Sequence, residues 1–236
     1  MEIHGISVFA GFLTVFGLLL LGGFSYWRYI WFFRNPPRHP PPGKGILSPA
    51  DGTVVYVENV APAEEVISIK QGLAVSVNDI VREHLAKRKV LIGIFMSPFD
   101  VHFNRAPLSG QVGSVRHHPA VTRNLHMGAM HLRTLLRWPP LFRSSLHLLQ
   151  NERTVTRIDG EFKDQPLSSY VIQIAGGSVS GIDSYVREGE TVARGAIFGM
   201  IRIGSQVDLV VPFAAGMELK VRPGQKVRAG DTVLIE

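Results

Sequence analysis

No charged residue interrupts the chain between Gly5 and Trp27, and Ile6 to Phe24 reads ISVFAGFLTVFGLLLLGGF. A helix needs about 20 apolar residues to cross a ~30 Å hydrocarbon core. The run therefore predicts a transmembrane helix inside an anchor at residues 1–33. Tyr26, Trp27, Tyr29, Trp31, Phe32 and Phe33 follow it, an aromatic belt of the kind that settles at headgroup depth. A hairpin bent at Gly22-Gly23, entering and leaving one leaflet, stays open. A cleavable signal peptide wants a basic leader, and this one carries only Glu2 and His4. The next stretch, RNPPRHPPPGKG at 34–45, has five prolines and two glycines, which forbids regular helix and predicts a stiff linker.

From Ile46 to Glu236 the apolar runs are short, rich in Val and Ile, and separated by turn residues: GTVVYVENV, LIGIFM, SSYVIQIA, QVDLVV. That patterning predicts a mainly β body. VREGETVARGAIFGMI (186–201) and VRPGQKVRAGDTVLIE (221–236) echo each other, each reading as a short hairpin; SPADGTVVYV (48–57) and APLSGQVGSV (106–115) echo more loosely. Such repeats are similar to those of biotinyl/lipoyl-like domains and related barrel-sandwich hybrids. The fold class is thus an antiparallel β body in that style, with one or two short helices, preceded by the transmembrane helix. The helical exception is 121–150, where leucines and methionines mix with Arg123, Arg133, Arg137 and Arg143 and no acidic residue occurs. A basic, apolar-faced helix broken at Pro139-Pro140 suits a membrane surface carrying anionic lipid. It equally suits an ordinary helix covering an open sheet.

Composition narrows the partners. With no cysteine, disulfide scaffolds, thiolate nucleophiles and Cys-based zinc sites are excluded. The net charge of +6 favours an anionic partner. The positive charge gathers beside apolar stretches without stacking aromatics in the body, so acidic lipid is favoured over nucleic acid. Arg28, Arg34 and Arg38 flank the far end of the apolar run, which predicts a cell (inner) membrane protein with its body on the cytoplasmic face.

Three segments carry candidate chemistry: SPADGTV with Asp51 in a turn, FMSPFDVHFNRAP (95–107) with His102, and FGMIRIGSQVDLVVP (198–212) with Gly204-Ser205. Each alone is weak. Together, in this order and behind an FFRNPP linker, they resemble the phosphatidylserine decarboxylase family in its short bacterial and archaeal branch. The likeness covers most of the body except 123–150. It implies a precursor that cuts itself between Gly204 and Ser205 into a β chain, 1–204, and an α chain, 205–236, which stay associated. Ser205 becomes a covalent pyruvoyl cofactor; no metal is implied. The pyruvoyl carbonyl then forms a Schiff base with the serine amine of phosphatidylserine and accepts the electrons left by CO₂, giving phosphatidylethanolamine.

Elementary chemistry gives these residues roles under that resemblance. A serine hydroxyl needs a neighbouring base, and His102 oriented by Asp51 would supply it. The family pattern has two histidines three positions apart, whereas here His102 is followed by Arg105, which stays protonated. Either His102 serves both steps or another histidine helps, His117 and His118 being the candidates. Arg105 would instead hold the substrate's carboxylate or phosphate. The rivals are a non-enzymatic, membrane-anchored lipoyl-like adaptor and a zinc peptidase; the first lacks a long coiled-coil pattern, the second its ligand spacings. A homo-oligomer is left open.

Overall fold

A computed structural model describes residues 2–61, 65–68, 74–76, 88–139, 141, 146–177, 181–202 and 204–236. The chain divides into two units, Met1–Pro36 and Pro37–Glu236. The first unit is one helix, α1 (Glu2–Tyr29), and a 3-10 turn over Trp31–Phe33. α1 runs unbroken through Gly22 and Gly23, so the hairpin alternative is not adopted. Its stretch from Phe9 to Phe33 is long and apolar enough to cross a membrane, with Phe12, Leu19 and Leu21 exposed. At its end the Arg34 guanidinium stacks 3.3 Å over the Trp31 ring.

The second unit is mainly β. In chain order it forms β1 (Ile46–Leu47), β2 (Gly52–Val60), β3 (Glu65–Ser68), β4 (Ala74–Ser76), β5 (Lys89–Met96), β6 (Phe103–Arg105) and β7 (Gly110–His118). Two helices follow, α2 (Gly128–Leu136) and α3 (Leu146–Gln150). The chain then returns to strands: β8 (Arg153–Phe162), β9 (Gln165–Ala175), β10 (Ile182–Ser184), β11 (Thr191–Val192), β12 (Ile197–Ile201), β13 (Ser205–Pro212), β14 (Lys226–Val227) and β15 (Val233–Ile235). Eight strands make the main sheet, in the order β11-β7-β8-β9-β13-β5-β2-β14, every pairing antiparallel. A smaller sheet, β10-β12-β6, and the pair β1-β15 accompany it.

The sequence echoes sit at the two ends of the main sheet. At one end Val227 of β14 pairs with Gly52 of β2; at the other Val192 of β11 pairs with Gly110 of β7. The 35-residue offset also recurs in the turns, where Ala196 N–H donates to Ala193 O and Asp231 N–H to Arg228 O. The expected hairpins are not formed, however. β11 pairs with β7 while β12 pairs with β10 and β6; β14 pairs with β2 while β15 pairs with β1. Each glycine-rich turn carries the chain from one sheet to another instead of folding it back on itself.

The main sheet is apolar on both faces. Val207, Leu209 and Val211 of β13 join the larger core cluster with Ile94, Val112 and Phe198. Val210 faces the opposite side with Tyr56, Phe95, Ile172, Met127, Met130 and Leu148. α2 and α3 thus cover an open sheet face, as the plainer expectation for 121–150 has it. Yet Leu132, Leu135 and Leu136 of α2 and Trp138 just after it are exposed, with Arg133 near the Trp138 ring. α2 ends where Arg137 turns left-handed, its N–H reaching Thr134 O, and Pro139 then prevents continuation. Of the expected linker at 34–45, the part from Pro37 onward belongs to the second unit, where Arg194 donates to the carbonyls of Pro41 (2.8 Å) and Gly45 (2.7 Å).

The two sides of the helical cover should separate in urea melts of an unprocessed Ser205→Ala background. Leu148 is fully buried, so Leu148→Ala should cost about 2–5 kcal/mol. Leu135→Ser, on the exposed side, should stay within roughly 0.5 kcal/mol. Equal losses would show that α2 and α3 do not cover the sheet this way.

Candidate active site

Antiparallel order brings the three sequence segments together. β13 and β2 both run opposite to β5, so both begin where β5 ends. Asp51 precedes β2, Gly204 precedes β13, and the loop after Met96 carries His102. Ser205, the first residue of β13, pairs with Met96 on one side and Ala175 on the other. Its side chain is fully buried, and Oγ donates to Met96 Sδ at 3.5 Å, a soft, weak acceptor. Gly204 has φ +61°, in the left-handed region that disfavours side chains, although open space surrounds its α-carbon. Backbone conformation, not crowding, demands glycine here.

His102 is fully buried. Its carbonyl accepts from Ile201 N–H (3.3 Å), just ahead of the Gly204-Ser205 step. Its Nδ1 lies 2.9 Å from the Asp100 carbonyl. Nδ1 is therefore the protonated nitrogen of the neutral ring and Nε2 the basic one. Asp100 is itself fixed, its carboxylate accepting from Ser97 N–H at 2.8 Å.

Asp51 has other partners than the expected His102 Nδ1. Arg38 grips both of its oxygens (2.7 and 3.0 Å), and Ala229 N–H donates to Oδ1 at 2.7 Å. Burial pushes the Asp51 carboxyl up, against the pull of the Ala229 amide and Arg38. Arg38 also reaches Asp231 at 3.2 Å. Arg105 joins this group, donating to Gly195 O at 2.8 Å; burial lowers its pKa, as does the neighbouring Arg38 charge. Arg38, counted in the sequence as a membrane-flanking charge, thus belongs to the body, 193 residues from one of its partners and 13 from the other.

Behind the Gly204-Ser205 bond, a buried polar network fixes the next residues of β13. Tyr56 Oη donates to Asp208 Oδ2 (2.7 Å), and Gln206 Nε2 donates to Tyr56 Oη and Asp208 Oδ1 (both 2.7 Å). His147 Nε2 donates to Gln206 Oε1 at 2.9 Å, which ties α3 to the residue after Ser205. Burial and the Asp208 carboxylate raise the Tyr56 hydroxyl well above its usual range.

On the same side, Gly204 opens into a cleft of about 160 Å³ whose walls include Phe95, Pro98, Met127, His126 and His131. The His126 ring packs against Gly177 so closely that a β-carbon there would lie 2.7 Å from it. His117 and His118, the expected helpers, lie elsewhere. His118 pairs with Arg153, Arg153 with Ile174, and Ile174 with Gln206, which puts β7 three strands from β13, roughly 14 Å along the sheet. His117 meets Thr154 Oγ1 at 3.1 Å and Glu152 at 3.8 Å. Sequence reasoning missed His126 and His131; the signal was a pair of histidines bracketing the core residues Met127 and Met130.

Comparison with known proteins matches residues 26–235 to a family described as phosphatidylserine decarboxylase. A Methanopyrus kandleri protein, provisionally named an archaetidylserine decarboxylase proenzyme, is 38% identical over 87% of this chain and 80% of its own. The phosphatidylserine decarboxylase proenzyme of Xanthobacter autotrophicus is 32% identical over 98% of this chain and 81% of its own. That of Streptomyces coelicolor is 35% identical over 86% and 70%.

The network gives the site a pH signature. Burial raises the Asp208 carboxyl from 3.8 to about 6. Between those values the folded state holds the proton more tightly than the unfolded chain, so the Asp208 contribution to stability falls as pH rises through this window. Denaturant titrations of a Ser205→Ala precursor from pH 4 to pH 7 should show that fall, and Asp208→Asn should flatten it. An unchanged slope in Asp208→Asn would contradict the assignment.

Proposed function

The chain belongs to the phosphatidylserine decarboxylase family, and on that premise we propose that it cuts itself between Gly204 and Ser205 and then decarboxylates a serine phospholipid. The observation that carries this reading is the convergence of His102, Gly204 and Ser205 at one end of the main sheet. Nothing in the fold or the comparisons favours the adaptor alternative.

Cleavage begins when His102 Nε2 takes the Ser205 Oγ proton, its ring held by the Asp100 carbonyl. Oγ attacks the Gly204 carbonyl, and the peptide bond becomes an ester as the Ser205 nitrogen is released and protonated. A base then removes the Ser205 α-proton, the carbon–oxygen bond breaks, and Gly204 leaves as a carboxylate. Hydrolysis of the remaining enamine yields ammonia and a pyruvoyl group at position 205. The site fits such a group: the Ser205 side is buried and apolar, and the Gly204 side opens into the cleft. The pyruvoyl supplies a carbonyl that accepts electrons from the bond to the departing CO₂. Asp51 is proposed to position this end of the sheet by joining Arg38 to the Ala229 amide.

Arg105, held by Gly195 O beside Arg38, is proposed to keep its substrate-facing role only through a nitrogen other than Nη1. The α chain, 205–236, stays with the rest because β13 is paired on both sides. α1 supports membrane anchoring, and Arg28 and Arg34 support a cytoplasmic body. The exposed Leu132, Leu135, Leu136 and Trp138 beside Arg133 and Arg137 suit contact with anionic headgroups. The substrate is a serine-headgroup glycerolipid, ester-linked as in phosphatidylserine or of the archaeal type named for the Methanopyrus relative.

Purified protein should release CO₂ from vesicles containing phosphatidylserine and leave the ethanolamine lipid. Ser205→Ala should abolish this, and His102→Ala should slow precursor cleavage by at least about 10²-fold. Cleavage at the parental rate in His102→Ala would remove the histidine from its role. A Ser205→Ala protein that still releases CO₂ would refute the reading itself.

A further inference from the structure

We propose that Asn104 and Gln173 are positioning residues for self-cleavage, a buried amide pair that holds the strand after His102 against the sheet carrying Ser205. The inference rests on the decarboxylase reading above and gives a role to two side chains that reading does not use.

The nucleophile and its base come from different sheets. Ser205 opens β13 of the main sheet, whereas His102 precedes β6 of the small one. Proton transfer between them needs hydrogen-bond reach, and a misplacement of about 1 Å can cost about 10²-fold in rate. Apolar burial is non-directional. Directed bonds between the two sheets are what set such a distance.

Asn104 and Gln173 make one. Both are fully buried. Asn104 lies in β6, two residues past His102. Gln173 lies in β9 and pairs with Val207, so it projects to the same side of the main sheet as Val207 and Ser205. Gln173 Nε2 donates to Asn104 Oδ1 at 2.8 Å, joining the sheets side chain to side chain. Asn104 Nδ2 reaches the other two segments of the site. It donates to Pro49 O at 3.3 Å, two residues before Asp51, and lies 3.9 Å from Met96 Sδ. That sulfur is the acceptor for the Ser205 hydroxyl. One asparagine on the His102 segment therefore touches the Asp51 segment directly and Ser205 through a single shared atom.

The orientation of the pair is determined. Only the nitrogen of the Asn104 amide can bond the Pro49 carbonyl, so Oδ1 faces Gln173, which must answer with Nε2. Gln173 Oε1 is then left buried, with no hydrogen-bond partner among the described residues. Gly199 of β12, the cross-strand partner of Asn104, makes room for this side chain. A β-carbon there would lie 3.1 Å from Gln173 Nε2 and 2.6 Å from Asp183 O. A buried pair that leaves a carbonyl bare adds little to stability, and apolar side chains of similar shape can replace both partners with almost no loss. What the amides add is direction.

The test times conversion of the full-length precursor into two chains on denaturing gels, after cell-free synthesis in detergent. The double variant Asn104→Leu/Gln173→Leu removes both amides together, and Pro49 O keeps its bond from Arg105 N–H. With Ser205→Ala in both proteins, the double variant should unfold at the parental urea midpoint. With Ser205 present, it should cleave about 10- to 10²-fold more slowly than the parent. Hydroxylamine, which opens an ester at Gly204, should not restore the rate, because the pair acts before the ester forms. Gln173→Glu is the conservative variant. Its carboxyl donates to Asn104 Oδ1 only when protonated, so its cleavage rate relative to the parent should fall from about pH 5 to about pH 8. Parental cleavage by the double variant, a lowered urea midpoint, rescue by hydroxylamine, or a Gln173→Glu ratio that does not change with pH would each overturn the proposal. A parent precursor that does not cleave would instead bring down the decarboxylase reading, and this proposal with it.

Discussion

The structure turns on one peptide bond, between a glycine in a left-handed conformation and a serine buried at the start of an interior strand. β13 is paired along its length with β5 and β9, so Ser205 cannot drift. Gly204 stands just outside the ladder at φ +61°, where the backbone is free of that constraint. In the proposed cleavage Ser205 would be a fixed nucleophile next to the Gly204 carbonyl, and an orientation settled before the reaction begins favours intramolecular attack. The polar network of Tyr56, Gln206, Asp208 and His147 reinforces the rigid half. Burying four polar side chains is tolerated because each finds partners.

The same arrangement explains why the chain needs distant pieces to build one end of a sheet. Arg38 comes from the proline-rich segment, Asp51 from the turn before β2, and Ala229 from the last echo. Their ion pair is buried, so its value lies less in stability than in fixing geometry, since removing either partner would leave an uncompensated charge.

Much of this was legible in the chain. Asp51, His102 and Gly204-Ser205 are readable as motifs, and their convergence follows once the strands are antiparallel neighbours. The β-rich class was readable from short Val/Ile runs. The strand order was not, because the glycine turns of 186–201 and 221–236 look like hairpin turns while they carry the chain between sheets. The Asp51 partner was hidden for a similar reason: Arg38 reads locally as a membrane-flanking charge, and only tertiary folding reveals its carboxylates. The 123–150 region hid its histidines. Its leucines suggested a membrane face, and Leu132, Leu135 and Leu136 are exposed, while Met127 and Met130 turn inward and His126 and His131 line the cleft.

Intact-mass analysis of the protein from its native host reads the chemical state of residue 205 directly. Two polypeptides are predicted, the smaller spanning 205–236, lacking an amino terminus and gaining mass with a carbonyl-specific hydroxylamine reagent. A single chain with the mass of the uncut sequence and an ordinary serine at 205 would contradict it.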